Sequence, residues 1–394
     1  MRIAYVCADP GVPIFGRKGN SVHVQEVVRA LLANGANVEL FATATGGEAP
    51  SGLDELRVHP LAALPKFEVV ERERAALVAN GALYALLEEN GPFDMVYERY
   101  SLWSFMGIEY ARNNGIAGLL EVNAPLVEEQ AAHRALADRH LAEWVANKVF
   151  SAATALLAVS QEVAAYLEER PGARGRVHIV PNGVNPQRFC EGTLPTYPGK
   201  PGVVTAGFVG TLKPWHGLSA LAESFALLNH QNSSTRLLIV GDGPERESLR
   251  SNLEERGVLD SVCFTGSVDP GEIPGLLASM DIAVAPYADS EHFYFSPLKV
   301  YEYMAAGLPV VASRVGQLNG LIRHEVNGLL CPPGDTVALA AALERLRRDS
   351  ALRIRLGNAA RETVLHGHTW DAVAERILAI AMRATPQAAS IGRM

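Results

Sequence analysis

Cysteine is scarce and scattered. Cys7, Cys190, Cys263 and Cys331 lack the close pairing of a zinc site, and four in 394 residues are too few for a disulfide framework. Packed, reduced thiols are the expectation. Positive charge is also in short supply, with 35 Lys and Arg against 43 Asp and Glu, which leaves no field for a polyanion and no expectation of nucleic acid as a partner. No apolar run approaches the ~18 residues of a spanning helix. The opening Met1-Arg-Ile-Ala-Tyr-Val-Cys7 runs into a polar, glycine-bearing loop, unlike a signal peptide. A cytoplasmic location is expected. Two phosphate signatures are incomplete as well. Gly16-Arg-Lys-Gly-Asn-Ser21 lacks the P-loop spacing, and Gly241-Asp-Gly243 lacks the third glycine and the acidic ribose ligand of a dinucleotide site.

What is present is alternation. Short apolar runs at Ile3–Cys7, Val38–Ala42, Met95–Tyr97, Gly118–Val122 and Ala155–Val159 are separated by helical periodicity, the pattern of a doubly wound parallel sheet. A second series follows at Thr205–Val209, Arg236–Val240, Val262–Phe264, Ile282–Ala285 and Val310–Ala312. Single cores stop growing near ~250–300 residues, so two domains are expected. Periodicity fails and proline and glycine collect over residues 186–202, which reads as a linker between a first domain, 1–185, and a second, 203–365.

In such sheets ligands gather beyond the carboxyl ends of the strands. That rule singles out Asn123 after Val122, with Glu128 beyond it, and Arg99 after an earlier strand. Gly19-Asn-Ser21 is placed at the start of a helix from about Val22 to Asn34, with Asn20 or Ser21 as cap and His23 in the first turn. A single helix is expected from Glu128 to Ser151, and a turn at Val326–Asp335. The most informative stretch is Phe295 to Ser313. There Ser296-Pro297 signals a helix start whose free amides suit a phosphate, and Lys299 adds a mobile charge. Helical spacing puts Lys299 and Glu302 on one face, pairing a cation for phosphate with an acceptor for hydroxyls. Gly307 fits a left-handed helix cap before Pro309. His366-Gly-His368 has no third ligand and reads as a helix terminus, so no metal site is expected.

The ordered series Pro181-Asn-Gly-Val-Asn185, Val209-Gly-Thr-Leu-Lys-Pro-Trp-His-Gly217, Val240-Gly-Asp-Gly-Pro244, Phe264-Thr-Gly266, Asp281 to Tyr287 and Glu302-Tyr-Met-Ala-Ala-Gly-Leu-Pro-Val310 resembles the group 1 (family 4) glycosyltransferases over almost the whole chain. The resemblance implies an α/β protein of GT-B architecture, with two Rossmann-like doubly wound domains facing across a cleft. Residues 366–385 would form a helix crossing back to the first domain, and 386–394 a disordered tail.

The resemblance further implies transfer of a hexosyl group from a nucleoside diphosphate sugar, UDP-sugar first and GDP-sugar next, to a hydroxyl acceptor, with retention at the anomeric carbon. No metal and no cofactor beyond the donor co-substrate is implied. Glu302 would hold the donor ribose. Ser296, Pro297 and Leu298 would meet the diphosphate, with Gly210, Thr211, His216, Gly241, Gly266 and Val268 completing the donor side. Gly19 would belong to the loop that closes over donor diphosphate or acceptor.

Four positions depart from the family pattern. Tyr294 stands where the first glutamate of the Glu, seven residues, Glu motif belongs, with Glu291 a turn earlier. Thr211 and His216 replace an arginine and a lysine, leaving Lys213 and Lys299 to neutralise the pyrophosphate. Asn123 replaces a histidine, and it and Tyr294 would orient the sugar. A nucleotide-sugar 2-epimerase of the same fold and a sugar-nucleotide-binding pseudoenzyme are the alternatives. The acceptor is expected to be a small molecule or glycan. Membrane association is not favoured, because no basic amphipathic helix is evident in the first domain.

Overall fold

The structure, a computed structural model, describes residues 1–64, 68–133, 135–190, 192–289, 293–294 and 296–384. Glu291, Phe295 and the tail 386–394 lie outside the described residues. The chain divides into two compact units, one formed by Met1–Asn182, Tyr294–Ser296 and Trp370–Met394, the other by Gly183–Phe293 and Pro297–Thr369.

The first unit runs β1 (Arg2–Cys7), α1 (Gly19–Ala33), β2 (Asn37–Ala42), β3 (Arg57–Pro60), α2 (Val69–Asn90), β4 (Met95–Arg99), α3 (Met106–Asn113), β5 (Ala117–Val122), α4 (Leu126–His133), α5 (Arg139–Ala152), β6 (Ala155–Ala158), α6 (Gln161–Glu168) and β7 (Val177–Ile179). Its seven strands lie in the order β3-β2-β1-β4-β5-β6-β7, each neighbouring pair parallel. The central strands are buried along their whole length, as strands covered on both faces must be. Phe41, Leu83, Leu87, Val96 and Tyr110 join α2 and α3 to one face.

The second unit runs β8 (Val204–Val209), α7 (Leu218–Gln231), β9 (Thr235–Val240), α8 (Arg246–Glu255), β10 (Val262–Gly266), α9 (Ile273–Leu277), β11 (Ile282–Ala285), α10 (Leu298–Ala305), β12 (Val310–Ser313), α11 (Leu318–Leu321), β13 (Leu329–Cys331), α12 (Thr336–Arg348) and α13 (Ser350–Leu365). Its sheet is also wholly parallel, in the order β10-β9-β8-β11-β12-β13. Phe208, Leu221, Phe225, Ile239, Val284, Val311 and Leu343 anchor its core. The last helix, α14 (Trp370–Ala384), packs in the first unit against α1 and β5.

Local chemistry accounts for several boundaries. The Ser160 hydroxyl accepts from the Val163 N–H to open α6, and Gly307 closes α10 at a φ of 72°. Other boundaries differ from expectation. The segment from Glu128 to Ser151 breaks into α4 and α5, because the Asp138 carboxylate accepts from the Leu141 N–H and starts a new helix. Helix α1 begins at Gly19, three residues early, with Lys18 at its cap. Neither Asn20 nor Ser21 caps it: the Asn20 side-chain Oδ1 accepts from the Ser21 N–H and its Nδ2 donates to the Gly11 carbonyl. Strands β3 and β13 had no signature. Both are short edge strands, β3 carries a proline, and β13 lies inside what reads as a turn.

Candidate functional site

Each sheet reverses its strand order next to its first strand, between β1 and β4 in one unit and between β8 and β11 in the other. Such a reversal leaves a crevice beyond the carboxyl ends of the strands.

In the second unit that crevice is lined by close-packed backbone. Gly210, just beyond β8, has a φ of 143°, and a Cβ there would lie 2.9 Å from the Lys299 Nζ. Gly241, beyond β9, has a φ of 126°, and a Cβ would lie 2.2 Å from the Gly210 carbonyl oxygen. Only glycine fits either place. The Gly241 N–H donates to Gly266 at the end of β10, and Val268 follows half-buried.

Lys299, in the first turn of α10, is held rather than mobile. Its Nζ is buried, 4.1 Å from the Phe208 ring centroid and 5.4 Å from that of Tyr287, and it has no hydrogen-bond partner among the described residues. Burial lowers its pKa to about 7. His216 packs against Phe208 and Tyr287, and its Nδ1 lies 2.6 Å from the Thr211 carbonyl oxygen. Burial first, then Lys299, pulls its pKa down to about 3, so the ring is neutral and Nδ1–H donates to that carbonyl. Thr211 itself is exposed, and the Lys213 ammonium rests 5.6 Å from the centroid of Trp215. Glu302 accepts from the Arg188 guanidinium at 3.2 Å. Pro297 takes the cap position of α10 and Leu298 is its first helical residue. No side chain caps this helix, which leaves first-turn amides for a ligand.

Ser296 does not play the capping part expected of it. Its hydroxyl accepts from the Asn182 N–H at 3.2 Å, and its carbonyl accepts from the Asn182 side chain at 2.9 Å. Within the first unit Tyr294 likewise donates its hydroxyl to Glu129, at 3.0 Å.

The first unit centres on Glu121 in β5. The His23 Nε2, from the start of α1, lies against the Glu121 Oε1, and the Arg99 guanidinium pairs with the same oxygen at 3.5 Å. Asn123 donates to the same oxygen at 2.9 Å. Burial works to raise the Glu121 pKa, but His23, Arg99 and Asn123 outweigh it and hold the carboxyl well below its ordinary value. Trp370 meets the His23 ring edge-on at 5.2 Å, which ties α14 to this cluster. Arg99 is therefore the buried last residue of β4 and not a loop residue beyond it. Glu128 is apart from the cluster, paired with Arg170 at 2.6 Å.

Two family models match the chain consecutively. Residues 17–188 match Glycosyltransferase Family 4, and residues 204–349 match Glycosyl transferases group 1. The chain belongs to the group 1, family 4 glycosyltransferases. It is similar to a D-inositol 3-phosphate glycosyltransferase of Acidothermus cellulolyticus, 29% identical over 95% of this chain and 86% of that one. A phosphatidyl-myo-inositol mannosyltransferase of Mycobacterium leprae is 35% identical over 51% of this chain and 52% of its own.

Among solved structures, sucrose-phosphate synthase from Thermosynechococcus elongatus superposes with a TM-score of 0.73 at 24% identity, covering 97% and 98% of the two chains. Anabaena HepE, solved with UDP and glucose, gives 0.73 at 16% identity over 97% and 100%. The fold is thus GT-B, two Rossmann-like α/β units in one chain, and the enzyme transfers sugar from a nucleoside diphosphate donor to an acceptor.

In this glycosyltransferase the structure brings Gly210, Gly241, Gly266, His216 and Lys299 together at one set of strand ends, and His23, Arg99 and Asn123 at the other. Glu121, which joins the second group, was missed by sequence reasoning. Its signal was a carboxylate inside the apolar strand Gly118-Leu-Leu-Glu-Val122. No helix among the described residues is long and apolar enough to cross a membrane.

Proposed function

We infer that this glycosyltransferase moves a hexosyl group from a UDP-sugar, or secondarily a GDP-sugar, with retention and without a metal. The observation that carries the reading is the buried Lys299 ammonium, without a hydrogen-bond partner among the described residues and placed against the Gly210 backbone at the carboxyl end of β8. A buried charge lacking an anion is costly, and a bound diphosphate would supply the partner. Lys299 and Lys213 then take over from the arginine and lysine that Thr211 and His216 replace. Fold relatives solved with UDP support the choice of base.

The chemistry follows from that charge. As the bond from the anomeric carbon to the phosphate oxygen breaks, negative charge grows on the diphosphate, and Lys299 with the α10 amides stabilises it. The acceptor oxygen attacks from the face the phosphate leaves, and its proton passes to the departing phosphate oxygen. Glu302 holds the ribose, steadied by Arg188, and Asn123 and Tyr294 orient the sugar. In this reading residues 1–185 serve the acceptor, 203–365 the donor, 186–202 link them, and 366–385 return to the first domain.

Thermal unfolding against UDP, GDP, other nucleoside diphosphates and their sugars tests the donor assignment. A ligand at a hundred times its Kd adds about 2.7 kcal/mol. A selective rise with UDP species supports the reading, and no rise with any of them refutes it. Binding without transfer or hydrolysis would instead favour a pseudoenzyme, the reading suggested by Tyr294, Thr211 and Asn123 at the family's glutamate, arginine and histidine positions.

A further inference from the structure

The crevice of the first unit opens into a cavity of about 540 Å³, within the ~300–1,000 Å³ range of small-molecule sites. It lies beyond the ends of β1, β2 and β4 and against α2, where a doubly wound sheet collects its ligand. Its wall is largely apolar, with Leu61, Ala76, Ala79, Leu83, Leu102 and Leu126 contributing.

Most polar groups in that wall are already used by the fold. Glu73 accepts from the Ala137 and Asp138 N–H groups at 2.9 and 3.2 Å. Asn80 donates to the Trp103 carbonyl at 2.9 Å and accepts from Phe105 and Met106 at 3.0 and 3.1 Å. Ser104 donates to Glu98, and Asp9 accepts from the Gly11 N–H with one oxygen. Arg72 is different. Its side chain lines the cavity half-buried, with no hydrogen bond or ion pair among the described residues.

A polyol filling this space would leave hydroxyls unpaired against alkyl walls, a cost an apolar body avoids. An arginine without a partner selects an anion. We propose that the cavity binds a small amphiphilic acid: a hydroxyl acceptor whose apolar body fills the space between α2 and the strand ends and whose carboxylate or phosphate meets Arg72. The assignment of this acid as the acceptor rests on the transferase reading above; the cavity's preference for such an acid does not.

Calorimetric titration of the full chain with monomeric decanoate, decyl phosphate, decanol and inorganic phosphate tests it. At least one of the two acids should bind saturably with 1:1 stoichiometry, and the tighter one names the anion. Decanol and inorganic phosphate should bind at least about tenfold more weakly. Arg72→Gln should weaken the acid about tenfold, equivalent to 1.4 kcal/mol, and Ala79→Leu should weaken it by reducing the cavity. Absence of saturable acid binding, or an affinity that Arg72→Gln leaves unchanged, overturns the proposal. So does binding only to vesicles containing an anionic phospholipid, unaffected by Arg72→Gln. UDP-dependent thermal stabilisation, measured on the same preparation, separates the two readings. Acid binding with no UDP response keeps the cavity assignment and removes the donor site; a UDP response with no acid binding does the reverse.

Discussion

The two sheets share a topology and differ in what stands at their strand ends. Both are wholly parallel and reverse order beside their first strand. In the second unit the crevice is made of glycine backbone and a buried lysine ammonium with no hydrogen-bond partner among the described residues. In the first unit the charges answer one another: Glu121 is shared by His23, Arg99 and Asn123, and the cavity alongside is mostly apolar. Topology therefore decides where a ligand can sit, and the side chains at the strand ends decide which chemistry it must have. One crevice is poised for an anion. The other pairs its charges around Glu121 and offers a mostly apolar surface with one arginine, Arg72, at its wall.

The contrast is most open to attack at Glu121. Removing one member of a buried charge cluster strands the others, so Glu121→Gln should destabilise the chain by about 3–5 kcal/mol in chemical denaturation. Because the folded carboxyl lies below its unfolded pKa of about 4.3, its stabilisation is complete above that value. It should be lost as pH falls below it, and that acid dependence should shrink in the variant. A loss under 1 kcal/mol would mean that the cluster is not neutralised as described.

Lys299 tests the opposite crevice. Lys299→Ala should lower kcat by about 10²–10³-fold, equivalent to roughly 2.7–4 kcal/mol of transition-state stabilisation, with the fold intact. Unchanged turnover would remove Lys299 from the chemistry. A lysine whose pKa is depressed when folded also penalises folding below that pKa. Unliganded wild-type protein should therefore gain stability as pH rises from about 7 towards 10, and Lys299→Met should lose that slope.

Smaller effects should separate close packing from backbone conformation. Gly241→Ala forces a Cβ onto the Gly210 carbonyl as well as straining φ, and should cost about 1–3 kcal/mol. Gly35 has a φ of 78° but open space around a would-be Cβ, so Gly35→Ala should cost only about 1 kcal/mol. Equal costs at the two sites would show that the second unit's crevice is less tightly built than its geometry indicates.

The GT-B fold was legible because its signals are local. Strands covered on both faces must be continuous apolar runs, helix caps need particular residues, and the ordered motifs run through the second unit. The candidate site was legible in part. Gly210, Gly241 and Lys299 were named from motifs and helix chemistry, and His23, Arg99 and Asn123 from their places near strand ends. Their partners were not. Edge strand β3 escaped because a strand half open to solvent needs no long apolar run, and β13 because three buried residues between turn signals are too short a run to tell from a turn.

The sequence by itself determined the alternation of elements, the left-handed turn at Gly307 and the composition of each strand end, since these depend on residues a few positions apart. Only the tertiary structure decided that Ser296 would accept from Asn182 rather than cap α10 and that Lys299 would be buried against Phe208. It also decided that Glu121 would gather His23, Arg99 and Asn123, and that Arg72 would face an apolar cavity with no counter-ion among the described residues. Apart from the Glu121–Asn123 bond, those outcomes depend on groups tens to more than a hundred residues apart. Burial and partner choice belong to the packed chain, and no local pattern encodes them.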